Sequence, residues 1–149
     1  MSTIRTIKFR GKNGVAWFKG DLEYCPKVGV ACIHTYSKDG VYDRSYQVNP
    51  DTIGQFTGLL DIHGKEIYEG DIVQRIYRME EGRGKNKHEV LRPVGNCKPK
   101  VISFRMGAFG YVNFKEREYV EEEWLPILDE ECEVLGNIFD NPEIECGGD

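Results

Sequence analysis

Five cysteines and three histidines are the residues of this sequence best suited to bind a metal ion. No two cysteines form a CxxC pair; they are Cys25, Cys32, Cys97, Cys132 and Cys146. A strand would place Cys32 and His34 on one face, and a zinc site would then need His63, His88 or Cys97 from distant segments. Thiols of a cytoplasmic protein are ordinarily reduced, and many are buried as small apolar groups. We therefore predict no bound metal and no cofactor.

Three carboxylates close together, Glu66, Glu69 and Asp71, could form an acidic pocket for a metal ion or for acid–base catalysis. In a short turn such groups are more often solvated, and a structural interpretation fits the neighbouring residues better. Asp61-Ile62-His63-Gly64 has the residue choice of a type I turn, and Gly70 can adopt a positive φ at little steric cost. The predicted structural turn motif is Asp61, Gly64, Gly70 and Asp71.

No motif for nucleophilic, phosphate-binding or metal-dependent catalysis is present in the sequence, since GxSxG, GxGxxG, P-loop and HExxH patterns are all missing. We therefore predict that the protein is not an enzyme and assign no catalytic residue.

The segment 75–100 is basic, with eight Lys and Arg residues against three Glu residues and a local net charge of +5. Contact with nucleic-acid phosphates is one interpretation, with Tyr77 and Tyr111 available to stack on bases. A solvated, mobile hairpin loop over Met79–Pro99 is the other, because charge runs commonly serve solubility. The candidate phosphate-binding residues are Arg83, Lys85, Lys87 and Arg92.

The segment 116–133 has the opposite sign, with nine carboxylates against one Arg and a local net charge of −8. It could be a solvated face, or it could dock on the basic loop of a neighbouring subunit and give a homo-oligomer. It could also imitate a phosphate backbone and occupy a DNA-binding protein of the host. The residues assigned to these protein contacts are Glu121, Glu122 and Glu123.

The whole chain has 149 residues, enough for one domain or two very small subdomains, and a net charge of −5. This charge argues against non-specific binding of nucleic acid or membranes by the surface as a whole. No apolar run approaches the roughly 20 residues of a membrane span, and the basic N-terminus lacks the apolar core of a secretion signal. We predict a cytoplasmic protein with no membrane partner.

Short strands separated by turns dominate the chain. In this prediction Gly20-Asp21 ends the second strand, Pro50 ends a hairpin ladder, and residues 115–125 form a short helix. No βαβ alternation is present, so we expect a small antiparallel barrel with one or two helical turns. The predicted strands are Ile4–Arg10, Val15–Phe18, Gly29–Tyr36, Val41–Val48, Ile72–Tyr77, Lys100–Arg105, Tyr111–Phe114 and Glu133–Phe139. The large aromatic residues assigned to the core are Trp17, Phe18, Trp124 and Phe139.

The run QFTGLLDIHGKEIYEGDIV at residues 55–73 resembles the signature of the YopX family. Two further segments agree with it, namely the KFR run at residues 8–10 and EVLGNIFDNPE at residues 133–143. The resemblance implies an SH3-like barrel around GKEIYEGDIV, accessory N-terminal strands, a phage or prophage origin and self-association. It implies no activity, and residues 11–51 and 79–100 match the family pattern poorly.

The resulting domain prediction is a single YopX-like domain over residues 1–149. It comprises an N-terminal β subdomain (1–50), an SH3-like barrel (51–144) and a frayed tail (145–149). The leading functional hypothesis is a non-enzymatic β-barrel binding or assembly module with a host or phage protein as partner. The alternatives are a nucleic-acid-binding accessory protein that uses the basic loop and an acidic decoy of a host DNA-binding protein.

Overall fold

The computed structural model describes residues 4–95, 98–105, 108–112, 114–115, 118–119, 125–126, 131–144 and 146. The chain is mainly β, and the strand pairings below are all antiparallel, as predicted. The strands are β1 (Phe9–Asn13), β2 (Ala16–Cys25), β3 (Val30–Tyr36), β4 (Tyr42–Leu60), β5 (Glu66–Tyr68), β6 (Asp71–Glu81), β7 (His88–Pro93), β8 (Lys100–Arg105), β9 (Ala108–Val112), β10 (Phe114–Lys115), β11 (Glu118–Tyr119), β12 (Leu125–Pro126) and β13 (Cys132–Asn137). A 3-10 helix spans Gly84–Asn86.

The chain divides into two compact units, residues 1–59 and residues 60–149. In the first unit the strands pair in the order β1-β2-β3-β4, and β1 also pairs with β4, so the four strands close into a ring. Its core is formed by Ala31, Ile33 and Val48, whose side chains are at most 4% exposed. Phe18 packs against this core, as predicted, together with Phe9, Leu22 and Ile53.

Strand β4 continues through Pro50, so the predicted end of the ladder at this residue is wrong. The pairing of β4 with β1 shifts register between Arg10 and Lys12, which marks a bulge at this point. The Thr52 hydroxyl accepts a hydrogen bond from the Lys12 N–H (2.8 Å) and donates one to the Asn49 carbonyl (2.7 Å). A bulge tolerates proline because it interrupts the regular ladder, and here a side chain replaces the missing backbone contacts.

Strand β2 likewise runs through Gly20, where the sequence predicts a break. A Cβ atom at this position would collide with the carbonyl oxygen of His34 on β3. The glycine therefore permits a close approach of two backbones instead of ending the strand. Gly11 also lies inside a strand. A Cβ atom at this position would lie 2.6 Å from Cγ2 of the core residue Val48, so the glycine allows β1 to pack closely on the core.

In the second unit the strand order is β12-β9-β8-β6-β13, with β7 paired to β6 from Ile76 onwards. Ile72 and Val73 are consecutive and both fully buried, so this part of β6 is covered on both faces. Val101 and Ile102 on β8 are buried as well. The closed ring of strands lies in residues 1–59, whereas the sequence places a barrel in residues 51–144; an SH3-like barrel in that region stays a prediction.

Two other elements differ from the prediction. Lys115, Glu118, Tyr119 and Leu125 belong to the short strands β10, β11 and β12, so a helix over residues 115–125 is wrong for the described part of that segment. Nine residues of the predicted loop at 79–99 belong to strands β6 and β7, which form a hairpin connected through residues 82–87. In the described part of the chain, no helix is long and apolar enough to cross a membrane.

Three of the aromatic residues assigned to the core are half-buried, namely Trp17, Phe18 and Phe139. Trp17 lies under the guanidinium of Arg10, whose Cζ is 4.7 Å from the ring centroid, and the ammonium of Lys12 is 5.9 Å from the same ring. Phe139 lies in the turn after β13. Trp124 lies outside the described residues.

Candidate binding surface

Asp61 accepts three backbone hydrogen bonds and is almost fully buried. Its Oδ1 receives the N–H groups of His63 and Lys65, both at 2.9 Å, and its Oδ2 receives the N–H of Val134 on β13 at 3.0 Å. Burial raises the pKa of the carboxyl, but the three N–H donors outweigh burial and hold the pKa below its usual value. The Gly64 N–H donates to the Asp61 carbonyl at 3.0 Å, which closes the turn.

The remaining residues of the turn motif also make backbone contacts. The Asp71 carboxylate accepts the N–H of Tyr68 at 2.8 Å and is 1% exposed. Gly70 has a φ of 89°, donates its N–H to the Ile102 carbonyl and accepts the N–H of Ile138. All these groups position the backbone.

The β6–β7 hairpin extends beyond the buried part of β6. Strand β6 is buried at Asp71–Val73 and Ile76, exposed at residues 77–80 and half-buried at Glu81. Strand β7 is exposed at every residue except the half-buried Val90. We call the part beyond Ile76, residues 77–92, the arm.

The two faces of the arm differ in polarity. Register pairs Tyr77 with Arg92 and Met79 with Val90, so these side chains share one face, called here the apolar face. The opposite face carries Arg78 paired with Leu91 and Glu80 paired with Glu89. The exposed fractions of Tyr77, Met79 and Leu91 are 44%, 38% and 36%.

Most basic side chains of the arm are already paired with carboxylates. Arg78 contacts Glu89 (Nη1–Oε1, 2.6 Å) and Glu131 (Nε–Oε1, 2.9 Å), and the hydrogen bonds to Glu131 and Glu89 raise the pKa of Arg78. Two further ion pairs join Arg92 to Glu81 (2.7 Å) and Lys87 to Glu80 (3.6 Å). The hydrogen bond to Glu81 also raises the pKa of Arg92.

The four predicted phosphate-binding residues therefore fall into two groups. Arg92 and Lys87 lie along the arm in ion pairs. Arg83 and Lys85 lie at its tip, exposed, and in the described part of the chain neither has an ion pair. The sequence predicts the basic character of the segment, but it does not predict the pairing with Glu80, Glu81 and Glu89, because that depends on the strand register.

Each histidine among the candidate zinc ligands has another polar group as its neighbour. His34 contacts Ser45 and Glu23, His63 contacts Glu133, and His88 contacts the Asn86 carbonyl. Across the residues that the structure describes, no three His, Cys, Asp or Glu side chains form a group suited to a metal ion. Cys97, like the acidic residues Glu121, Glu122 and Glu123, lies outside those residues.

Two surface features of the first unit are absent from the sequence prediction. One is an open cleft of about 350 Å³ lined by Lys12, Asn13, Gln47 and Asn49 among others. The second is a row of aromatic and acidic side chains on β2, β3 and β4, which point away from the core. The period of two in a strand is the signal that could have indicated this row, because buried Ala31 and Ile33 leave His34 and Tyr36 on the opposite face.

Comparison with known proteins gives one family match. The family model described as YopX protein matches residues 8–144, which is most of the chain and includes both units. No curated protein sequence matches the chain significantly.

Proposed function

The chain belongs to the YopX family, and on that premise we propose that it is a phage or prophage accessory protein of the bacterial cytoplasm. In this proposal it acts as a non-enzymatic binding and assembly module. The observation that supports the proposal is the arm, a two-stranded extension with exposed apolar side chains and an exposed strand edge.

The edge of the arm suits strand addition. In the described residues β7 pairs with β6 alone, so the N–H and C=O groups along its other side face no described strand. Such an edge can accept an extended segment of another chain, with main-chain hydrogen bonds giving affinity. Pro93 lies at the base of β7, so the pairing edge is confined to the residues before it.

The apolar face of the arm suits a protein partner. Tyr77, Met79 and Val90 lie together there, beside the Arg92–Glu81 ion pair. Aromatic residues, Met and Arg are enriched in protein–protein interfaces, whereas Lys and Glu are depleted. Exposed pairs such as Arg92–Glu81 contribute little to stability, so a partner can rearrange them at small cost.

Nucleic-acid binding is the second candidate function, and the observation that favours it is the tip of the arm. Arg83 and Lys85 are exposed there, and a two-stranded ribbon has dimensions that the major groove admits. The ion pairs of Arg92 and Lys87 leave fewer basic groups for phosphates than the sequence suggests. For this reason we place assembly first.

One experiment separates the two functions: light scattering with absorbance at 260 and 280 nm on the full chain purified at low salt. Assembly predicts a mass above that of a monomer, free of nucleic acid, which falls to the monomer mass in Tyr77→Ala/Met79→Ala. The matched control is Val28→Ala/Val41→Ala, which truncates two exposed apolar side chains of the first unit and should leave the mass unchanged.

A second pair of substitutions tests for nucleic-acid binding. A monomer that co-purifies with nucleic acid, and releases it in Arg83→Gln/Lys85→Gln but not in Lys27→Gln/Lys38→Gln, would establish nucleic-acid binding instead. A monomer without bound material, unchanged by any of these substitutions, would contradict both functions.

A further inference from the structure

The outward side of β2, β3 and β4 in the first unit carries a set of acidic and aromatic side chains. Ala31 and Ile33 of β3 point into the core, so His34 and Tyr36 point outwards. The register pairs His34 with Asp21 on one side and with Ser45 on the other, and it pairs Tyr36 with Tyr42. We call this set the outer face; its residues are Asp21, Glu23, His34, Tyr36, Tyr42 and Ser45.

Hydrogen bonds hold the outer face in one arrangement. His34 lies between Glu23 (Nε2–Oε2, 2.8 Å) and Ser45 (Nδ1–Oγ, 2.5 Å). The Ser45 hydroxyl also contacts the hydroxyl of Tyr42 at 2.8 Å. Exposed side chains usually sample several rotamers, and ordering them on binding costs free energy. A surface that is already ordered avoids much of that cost.

The aromatic part of the outer face presents two ring surfaces at a corner. The Tyr36 and Tyr42 rings have centroids 6.3 Å apart and an interplanar angle of 77°. Their exposed fractions are 48% and 56%, so solvent reaches both rings. A hydrogen bond to Asp21 raises the pKa of the Tyr36 hydroxyl, which keeps this group protonated and a donor to that carboxylate.

We propose that the outer face binds the cationic side chain of an arginine or lysine on a segment of another protein. The rings of Tyr36 and Tyr42 would contact the cation through their π faces, and the carboxylates of Asp21 and Glu23 would neutralise it. This site is separate from the arm and does not depend on the function proposed for the arm.

The chemistry of the groups present favours a cation over other ligands. Aromatic faces attract cations, and a planar guanidinium can stack on a ring while it bonds a carboxylate. The Asp21 carboxylate makes one hydrogen bond within the protein, with Tyr36, and the Glu23 carboxylate makes one with His34. Both carboxylates keep further acceptor sites for a ligand. Glu23 has a side chain that is 74% exposed, so its second oxygen is accessible.

Charge also selects against nucleic acid at this face. The carboxylates of Asp21 and Glu23 would repel phosphates. By alternation the next outward residue on β2 is Lys19, and its positive charge marks the end of the acidic site towards β1. A basic protein segment is therefore the complementary partner.

The test is a titration of the full ¹⁵N-labelled chain with a nine-residue probe peptide that contains three arginines separated by Gly and Ser. The matched probe has citrulline at the same three positions, which keeps the shape and removes the charge. We expect shifts confined to the amides of β2, β3 and β4 with the arginine peptide and none with the citrulline peptide.

Variants locate the site. Tyr36→Ala and Tyr42→Ala should each weaken binding about two- to fivefold, as expected for a cation–π contact at an exposed position. The matched control is Tyr24→Ala, which removes an equally exposed tyrosine from β2, opposite the core residue Ala31 and therefore on the other side of the sheet. Asp21→Asn/Glu23→Gln tests the carboxylates without a change of shape, and circular dichroism checks that each variant is folded.

Three outcomes would overturn the proposal. The first is equal binding of the citrulline peptide, and the second is a set of shifts that maps to the acidic residues of the second unit. The third is a concentration-dependent shift of the outer-face amides without peptide, which would make this face a contact between copies of the chain.

Discussion

The Asp61 carboxylate joins the turn after β4 to β13, 73 residues further along the chain. Replacement by asparagine keeps the size and one carbonyl oxygen, but it places an NH₂ group where Oδ2 now accepts the N–H of Val134. Two donors would then face each other in a buried site. An unsatisfied buried donor costs about 1–3 kcal/mol, so we expect Asp61→Asn to lower the free energy of unfolding at neutral pH by about that amount. Urea denaturation measures it, with Asp39→Asn in the exposed turn after β3 as the control.

The same carboxylate gives stability a pH dependence. Its folded-state pKa is lowered, so its contribution is fully present above the ordinary value for an aspartate, about 3.9, and is lost as the pH falls through the lower folded-state value. The stability of the natural chain should therefore decline below about pH 4 more steeply than that of Asp61→Asn. Parallel pH profiles in the two proteins would show that Asp61 is not the group responsible.

Residue types alone predict part of this turn. Asp61 and Gly64 occupy the positions that a type I turn favours, and the Gly64 N–H bond to Asp61 closes it. The contact with Val134 could not be predicted, because nothing local to residues 61–64 specifies which distant strand supplies the third donor.

At the scale of elements, the sequence predicts where strands occur better than it predicts where they end. Gly20 and Pro50 are ordinary signs of strand termination, yet both lie inside strands. Gly20 allows β2 to approach the backbone of β3, and Pro50 lies in a bulge completed by Thr52. Each exception depends on a neighbouring strand, so the local sequence could not show it. The helix predicted at residues 115–125 fails for a similar reason, since Leu125 pairs with Tyr111 on β9.

The arm provides a prediction at this scale. Its side chains lie outside the core, and Arg78 links β6 to Glu89 on β7 and to Glu131. An isolated two-stranded hairpin is marginally stable, so the arm should open locally without global unfolding. Hydrogen exchange should be slow for the buried residues Ile72, Val73 and Ile76 and fast for residues 77–92.

Arg78→Gln sharpens the test. It removes both ion pairs, so exchange in the arm should accelerate further, while the denaturant midpoint of the whole chain changes little because the pairs are exposed. Added salt should reduce the difference between Arg78→Gln and the natural chain. Uniformly slow exchange across residues 71–92 would mean that the arm belongs to the cooperative core.

On the scale of the whole molecule, charge is divided unevenly between the two units. Residues 1–59 contain eight Lys and Arg residues against five Asp and Glu residues, whereas residues 60–149 contain twelve against twenty. The basic block at residues 75–100 is partly neutralised in the fold, because Arg92 and Lys87 of the arm meet carboxylates across the hairpin. Composition therefore predicts the sign of the net charge of a segment, and strand register determines how many of its charged side chains are available to a partner.

The mainly β, antiparallel class follows from strand formers and turns alone, but the closed ring of the first unit depends on the pairing of β1 with β4, which are far apart in sequence. The ring encloses a small core, and a unit of this size buries only a modest apolar area. Each core side chain should therefore carry a large share of the stability. Ile33 is fully buried in one cluster with Ala31 and Val48, so Ile33→Ala should cost about 2–4 kcal/mol.

Val28→Ala, at a position 68% exposed in the same unit, should stay within about 0.5 kcal/mol of the natural chain. Denaturant unfolding gives both free energies, and hydrogen exchange resolved by segment shows where the loss falls. We expect faster exchange in Ile33→Ala throughout β1, β2, β3 and the part of β4 that pairs with β3, because these strands pack on the core of Ala31, Ile33 and Val48. A loss confined to β3 would show that the ring does not unfold as one unit.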